Sequence, residues 1–190
     1  DQGAYSEDHT VHDMAAILDA CGVGRAVVGG LSLGGYCSLG FYLEHPARVD
    51  ALMLFDTGPG FKKGAAREAW NRRAGQRADD LESRGLDALG ASAEVRRSNH
   101  RSADGLARAA RGMLAQRDAS VIESLPNIAV PTLVLVGEQD VNFHAATDYM
   151  SKKIPGAAKV VIPNAGHGAN IDQPEIFNQE MGAFLGQLAF

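Results

Sequence analysis

The sequence is poor in cysteine and in aromatic residues. Of its 190 residues, two are cysteines, one is tryptophan, and 6% are aromatic. Cys21 and Cys37 are too few for a disulfide framework and lie at no metal-ligand spacing, which excludes disulfide-stabilised and zinc-stabilised small domains. We expect both thiols to be free and buried, as is typical of a protein of the reducing cytoplasm.

Long apolar runs are also absent. No stretch approaches the roughly 20 apolar residues of a membrane-spanning helix, so we expect no membrane insertion. No charged-then-apolar leader opens the chain, so we expect no signal peptide. A net charge of −5 argues against general nucleic-acid binding. The sequence begins with Asp1 rather than Met, which favours the interpretation that it is part of a longer gene product.

The chain does contain an alternation of short apolar runs with helical patterns. Strands are predicted where β-branched and apolar residues follow one another without polar alternation. These are residues 25–30, 49–55, 131–136 and 158–162. Amphipathic helices are predicted at residues 11–21, 33–44, 143–154 and 173–188. Alternating strands and helices predict a parallel α/β sheet with flanking helices.

One segment interrupts this alternation. Residues 61–118 are helical in pattern and contain no predicted strand, with the clearest helix at residues 102–117. Between residues 62 and 117, basic side chains exceed acidic ones by six. We predict a helical lid inserted into a core formed by residues 1–60 and 119–190. Its arginines fit a solvated helix face, or alternatively the binding of acidic substrates or an anionic partner.

The strongest motif is Gly30-Leu31-Ser32-Leu33-Gly34, between a predicted strand and a predicted helix. A G-x-S-x-G sequence in this context is typical of a nucleophile elbow, whose glycines avoid a clash across the turn. The elbow presents the Ser32 hydroxyl to substrate and places the Leu33 N–H where it can stabilise an oxyanion. Alternatives are an idle serine in a glycine-rich turn or a nucleotide-binding loop, but the glycine spacing matches neither phosphate-binding motif.

A serine hydroxyl needs a base, and one histidine lies where a base is expected. His167 follows a predicted buried strand and precedes the last helix, and such loops at strand ends form sites in α/β sheets. His144 is the best rival, since it opens a helix. The other histidines are predicted at the chain start, at a helix end or in the lid, and these are His9, His12, His45 and His100.

The base in turn needs a carboxylate to hold its tautomer. Asp140 ends the strand before the histidine strand and is placed to reach His167. Asp56, at the end of the preceding strand, is the alternative carboxylate. Asp140 could instead cap the helix that starts near Phe143. With Asp140 as the carboxylate, the three residues follow one another along the chain in the order Ser, Asp, His.

Four segments carry a resemblance to the α/β-hydrolase superfamily, specifically to its lidded esterase, lactonase and carbon–carbon hydrolase branch. They are residues 28–35, 45–49, 130–140 and 165–174. The resemblance implies the α/β-hydrolase fold, with Ser32 as nucleophile, Asp140 as acid and His167 as base. It implies a serine hydrolase of small carboxylic esters that needs no cofactor or metal. Lactonases, carbon–carbon hydrolases and thioesterases are similar in this triad, so these activities stay open.

The beginning of the sequence departs from the pattern that this resemblance implies. Such proteins begin with further strands and a His-Gly loop that supplies the first oxyanion donor, whereas this sequence opens at Asp1-Gln2-Gly3. Of the two expected oxyanion donors, only the Leu33 N–H can then be assigned. A catalytically weak fragment or a binding module is therefore the alternative to an active hydrolase. The strand at 25–30 would lose a neighbour. We expect its edge to be covered by a rearranged N-terminus, by further residues, or by a partner chain, for example in a homo-oligomer.

Overall fold

A four-stranded parallel sheet forms the centre of the computed structural model, which describes residues 2–188. The strand order is β1-β2-β3-β4. The strands are β1 Ala26–Leu31, β2 Val49–Phe55, β3 Thr132–Gly137 and β4 Ala158–Ile162. All four predicted strands are confirmed, with ends that differ by at most one residue. Every residue of β3 is buried, because helices cover both faces of the sheet.

Helices connect the strands and cover the sheet. In the core these are α1 Glu7–Ala20, α2 Leu33–Glu44, α6 Ser120–Ser124, α7 His144–Lys153, α8 Ala169–Asp172 and α9 Pro174–Leu185. Helix α1 begins at Glu7, earlier than the predicted residue 11, because Ser6 caps it. The Ser6 hydroxyl accepts a hydrogen bond from the His9 N–H at 3.2 Å, and Glu7 and Asp8 lie in the first turn, where acidic side chains are favourable.

Two apolar layers lie on opposite faces of the sheet. Alternate residues of β2 face opposite layers, since successive side chains of a strand point to opposite sides. Leu52 and Leu54 pack with α1, α2, α6 and α7, whereas Ala51 and Phe55 pack with α9. Each fully buried large side chain contributes about 1.5–3 kcal/mol to the free energy of unfolding. This core holds the carboxyl ends of the four strands in a fixed arrangement.

The regular secondary structure between β2 and β3 consists of helices. It contains α3 Gly64–Arg84, α4 Ala93–Arg97, α5 Ala103–Ala109 and a π-helical turn at Ala110–Leu114. Apolar residues of α3, α5 and the turns that follow these helices form a separate cluster. Its described residues include no strand, as expected. Residues 1, 189 and 190 of the predicted core lie outside the described residues, and the boundaries of core and lid stay a prediction.

Arg108 and Arg111 of this segment pair with carboxylates of the same segment. Arg111 contacts Asp79 at 2.9 Å and Glu82 at 2.7 Å, and Arg108 contacts Asp104 at 2.8 Å. These pairs are largely exposed, so each contributes little to stability. They favour the interpretation of the arginine excess as a solvated helix face.

The prediction that both cysteines are buried is wrong for Cys21. Cys37 is buried in α2, and burial raises the pKa of its thiol to about 11. Cys21 is exposed at the end of α1, on the same side as Ile17, which is 62% exposed. Helix α1 reaches the core through Val11 and its neighbours instead. None of the helices within residues 2–188 combines the length and apolar composition that a membrane span needs.

Candidate active site

Four polar side chains follow the four strands of the sheet. Ser32 comes directly after β1, Asp56 directly after β2, Asp140 shortly after β3 and His167 shortly after β4. Because the strands are parallel, their carboxyl ends meet at one edge of the sheet, where sites of open α/β folds form. The predicted residues Ser32, Asp140 and His167 therefore lie at the same edge.

Ser32 lies in a strained turn between β1 and α2. Its φ is 55° and its ψ is −117°, a conformation that non-glycine residues rarely adopt. A Cβ on Gly30 would lie 2.5 Å from the Gly34 carbonyl carbon, and a Cβ on Gly35 would lie 2.5 Å from Thr57 Cγ2. A Cβ on Gly34 would meet no atom within 4 Å. The steric requirement for glycine thus lies at Gly30 and Gly35, not at Gly34 as the sequence motif suggested.

Hydrogen bonds to the neighbouring strand hold this turn. The Ser32 N–H donates to the Phe55 carbonyl at 2.9 Å, and the Thr57 hydroxyl donates to the Ser32 carbonyl at 2.6 Å. Gly35 is the first residue of α2 whose N–H finds a backbone acceptor within residues 2–188. The Leu33 N–H, at the start of this helix, therefore remains available to an anionic oxygen.

His167 and Asp140 are directly joined. His167 Nδ1 and Asp140 Oδ2 are 2.7 Å apart. The Asp140 side chain is 5% exposed, whereas the His167 side chain is 36% exposed. The imidazole also stacks on Phe143, with ring centroids 5.1 Å apart. A buried carboxylate on Nδ1 leaves Nε2 as the nitrogen that can accept a proton from a nucleophile.

Backbone contacts fix the two loops that carry this pair. The Gln139 N–H donates to the Ala165 carbonyl at 2.8 Å, and the Gly166 N–H donates to the Asp172 carboxylate at 2.8 Å. A Cβ on Gly137 would lie 2.2 Å from the Gly166 carbonyl oxygen, so the end of β3 and the histidine loop pass in close contact. This packing restricts how far Asp140 and His167 can separate.

Asp56 is the third ionisable group at this edge. Its φ is 44°, its side chain is fully buried, and its Oδ1 accepts the Gly137 N–H at 2.7 Å. Burial raises the pKa of this carboxyl from 3.8 to about 7. The Gly137 N–H opposes this rise, the nearby Asp140 adds to it, and His167 again opposes it.

Asp56, Asp140 and His167 lie close enough together to be considered as ligands of a metal ion. One donor atom from each of Asp56, Asp140 and His167 lies within 4.8 Å of the others. However, His167 and Asp140 already hydrogen-bond to each other, and a cation would have to break that bond. The contacts therefore fit proton chemistry better than a metal site.

The other histidines have different surroundings. His144 Nε2 lies 2.9 Å from the Glu138 carbonyl, and His45 packs on Phe41. His9 and His12 contact their own helix or its cap, and His100 lies exposed in the inserted segment. Within residues 2–188, Ser32 and His167 share no direct hydrogen bond. Such bonds are often long before a substrate binds.

Glu94 is a neighbour of the site that sequence reasoning missed. It belongs to α4 of the inserted segment, and a Cβ on Gly168 would lie 2.6 Å from Glu94 Oε1. The Ser92 hydroxyl, chiefly, and the positive charge of His167, more weakly, lower the pKa of Glu94. No motif marks this residue, because only the fold brings α4 to the loop that carries His167.

Comparison with known proteins places this chain in a family. Residues 2–180 match the model of a family described as the Alpha/beta hydrolase family. A Bacillus subtilis protein that bears the name of a 2-succinyl-6-hydroxy-2,4-cyclohexadiene-1-carboxylate synthase is 30% identical over 200 residues, which cover 95% of this chain and 73% of that protein. The 3-oxoadipate enol-lactonase 1 of Acinetobacter baylyi is 28% identical over 193 residues, which cover 91% of this chain and 68% of the lactonase.

A solved structure has a similar fold. A thermophilic esterase from Thermogutta terrifontis superposes with a TM-score of 0.81 at 28% identity, over 96% of this chain and 72% of the esterase. This chain therefore shares its fold with these proteins while spanning 68–73% of their lengths.

Proposed function

Because the chain belongs to the alpha/beta hydrolase family, and its relatives include an esterase and an enol-lactonase, we propose that it is a serine hydrolase of small carboxylic esters. In this proposal Ser32 is the nucleophile, His167 the general base and acid, and Asp140 the group that orients the imidazole. The mechanism uses no metal and no organic cofactor.

The first half-reaction forms an acyl-enzyme. The Ser32 oxygen attacks the ester carbonyl carbon while His167 Nε2 takes the hydroxyl proton. The negative charge that develops on the carbonyl oxygen is stabilised by the Leu33 N–H at the start of α2. The intermediate then collapses, the bond to the alcohol oxygen breaks, and His167 returns its proton to the leaving alcohol.

The second half-reaction releases the acid. A water molecule attacks the acyl carbonyl carbon, and His167 takes one of its protons. Collapse of this intermediate breaks the bond to Ser32, which regains its proton from His167. Asp140 remains ionised throughout and stabilises the imidazolium in both halves.

One observation supports this proposal over the alternative of an idle serine. The hydrogen bond of 2.7 Å between His167 and the buried Asp140 lies at the same sheet edge as Ser32. Ser32 occupies the strained turn that presents a serine hydroxyl at the top of a sheet. An idle serine in a glycine-rich turn requires neither the strain nor the paired histidine.

Hydrolysis of short-chain p-nitrophenyl esters tests the proposal. We expect the chain to hydrolyse them and Ser32→Ala to reduce turnover to the background rate, since removing a triad serine costs up to about a million-fold. Ser32→Gly is the matched control for folding, because glycine adopts a positive φ without strain. It should be inactive yet at least as stable as the native chain. Equal turnover in native and variant proteins would contradict the proposal.

Lactone hydrolysis is the second candidate. It is favoured by the 28% identity to 3-oxoadipate enol-lactonase 1, and the same triad attacks a cyclic ester without change. A comparison of kcat/KM for a five-membered lactone and a short-chain ester separates the two substrate classes. Binding of a lactone without turnover would instead favour the alternative of a binding module that keeps the fold.

A further inference from the structure

The mechanism above leaves one buried carboxyl of the site without a role. Asp56 lies directly after β2, between the turn that holds Ser32 and the loop that holds Asp140. Its positive φ of 44° is a conformation that Asp and Asn tolerate better than most residues. The Asp56 N–H donates to the Leu135 carbonyl at 2.8 Å, so the backbone directs this side chain inward beside β3.

The two oxygens of this carboxyl have unequal surroundings. Oδ1 accepts the Gly137 N–H at 2.7 Å. Oδ2 is buried, and no N–H or O–H group of residues 2–188 donates a hydrogen bond to it. An ionised carboxylate with a buried, unpaired oxygen is costly, because its charge is neither hydrated nor compensated. A protonated carboxyl has no such charge but carries an O–H that needs an acceptor.

The neighbouring acceptor is Asp140. Donor atoms of Asp56, Asp140 and His167 lie within 4.8 Å of one another, and Asp140 uses Oδ2 for His167. Two carboxyl groups this close in a buried site do not both ionise, so one of them retains a proton. Asp140 is paired with a histidine, whereas Asp56 forms no ion pair within residues 2–188, which assigns the retained proton to Asp56.

We propose that Asp56 is a positioning residue of the site, which keeps its proton on the acidic side of neutral pH and then donates a hydrogen bond to the Asp140 carboxylate. Asp140 is then held from both sides, by Asp56 and by His167, and it alone carries the negative charge that faces the imidazole. The catalytic meaning of this arrangement rests on the proposed function, whereas the protonation itself does not.

The arrangement depends on pH. The pKa of Asp56 is raised to about 7, chiefly by burial. Within residues 2–188, the titratable groups with the largest effect on this pKa are Asp140, from the loop after β3, and His167, from the loop after β4. The charge of His167 also lowers the pKa of Glu94, from α4. Above this pKa Asp56 loses its donor and places a second negative charge beside Asp140, so the orientation of Asp140 weakens.

Infrared spectroscopy tests the protonation without any substrate. The native chain should show the carbonyl stretching band of a protonated carboxyl that disappears with a midpoint near pH 7. Asp56→Asn should lack this band. Glu7→Gln is the control, since burial also raises the pKa of Glu7, and it should keep the band. A native spectrum without a carboxyl that titrates near neutral pH, or a band that survives in Asp56→Asn, would overturn the proposal.

The rate of labelling by a fluorophosphonate tests the positioning role. Asn keeps an N–H donor and an oxygen acceptor and tolerates the positive φ, so Asp56→Asn should label within about tenfold of the native rate. Its rate should stay level above pH 7, where the native rate declines. Asp140→Asn is the matched variant, and it should lose about 10,000-fold, because it selects the wrong tautomer of His167.

The outcomes separate the inference from the proposed function. Equal losses in the two Asn variants would make Asp56 a second acid of the site and overturn the positioning role. An alkaline decline that persists in Asp56→Asn would do the same. If the native chain fails to label at Ser32, the proposed function fails, and the infrared band still decides whether Asp56 carries the proton.

Discussion

At the scale of the residue, local motifs and three-dimensional environment contribute different parts of the site. Ser32 and His167 are identifiable from sequence because each lies in a glycine-rich segment between a strand and a helix. The structure joins His167 to Asp140, the carboxylate preferred over Asp56 on chain position. The proton of Asp56 could not be predicted, since burial between β2 and β3 causes it.

Gly30 provides a prediction at this scale. A Cβ at residue 30 would meet the Gly34 backbone at 2.5 Å, and backbone atoms cannot rotate away as a side chain can. Gly30→Ala should therefore lower the free energy of unfolding by about 1–3 kcal/mol, as overpacking does. Urea denaturation measures this change.

The matched control for Gly30→Ala is Gly34→Ala. A Cβ at residue 34 has no neighbour within 4 Å, and the residue lies in the first turn of α2. Alanine favours a helix over glycine by up to about 1 kcal/mol, so this variant should be as stable as the native chain or slightly more stable. Equal destabilisation by both substitutions would show that the close approach at Gly30 is not what holds the turn.

At the scale of the element, the strands were predictable and the inserted helices only in part. Strand ends agree to within one residue, because the strands are short apolar runs with clear limits. The strand before His167 was expected to be buried, but β4 lies at an edge of the sheet and buries Ile162 alone among its residues. The helix predicted at residues 102–117 is instead α5, which ends at Ala109 and continues as a π-helical turn. The apolar residues keep the spacing of an α-helix from α5 into the π-helical turn. The sequence pattern therefore did not reveal the wider turn.

The backbone of Tyr5 lies against the inserted segment at the point where this helix changes. A Cβ on Gly112, within the π-helical turn, would lie 1.6 Å from the Tyr5 carbonyl oxygen. The segment before α1 therefore crosses the inserted helices in backbone contact. Only the fold brings residues this far apart in sequence together, and no local pattern indicates the contact.

Gly112→Ala is the prediction that follows from this contact. The added methyl group must push the Tyr5 backbone away, and we expect a loss of about 2–3 kcal/mol in the free energy of unfolding. Gly75→Ala, in the middle of α3 with no atom within 4 Å of the added Cβ, should stabilise the chain slightly. Thermal and urea denaturation of the two variants provide the comparison, and a neutral Gly112→Ala would contradict the described crossing.

At the scale of the whole molecule, the sheet has one strand edge that sequence reasoning anticipated. Within residues 2–188, β1 pairs with β2 and with no other strand, so one row of its backbone groups lacks a neighbouring strand. The described segment before α1 forms a short 3-10 helix and does not extend the sheet. An uncovered edge strand is a template for pairing with another chain.

We propose that a second copy of the chain covers this edge. Light scattering after size-exclusion chromatography should then give at least twice the mass of 20.1 kDa. Hydrogen exchange should show protection at every amide of β1. A monomer whose β1 amides exchange rapidly at alternate positions would contradict the proposal.

The most direct test of the serine hydrolase mechanism is the mass of the intact chain after reaction with a fluorophosphonate. A serine hydroxyl reacts readily with this reagent only when an adjacent base activates it. We predict the addition of one phosphonyl group, located at Ser32 by peptide mapping and absent from Ser32→Ala. Modification of a different residue, or no modification of a correctly folded chain, would contradict the assignment of Ser32, His167 and Asp140 as an assembled triad.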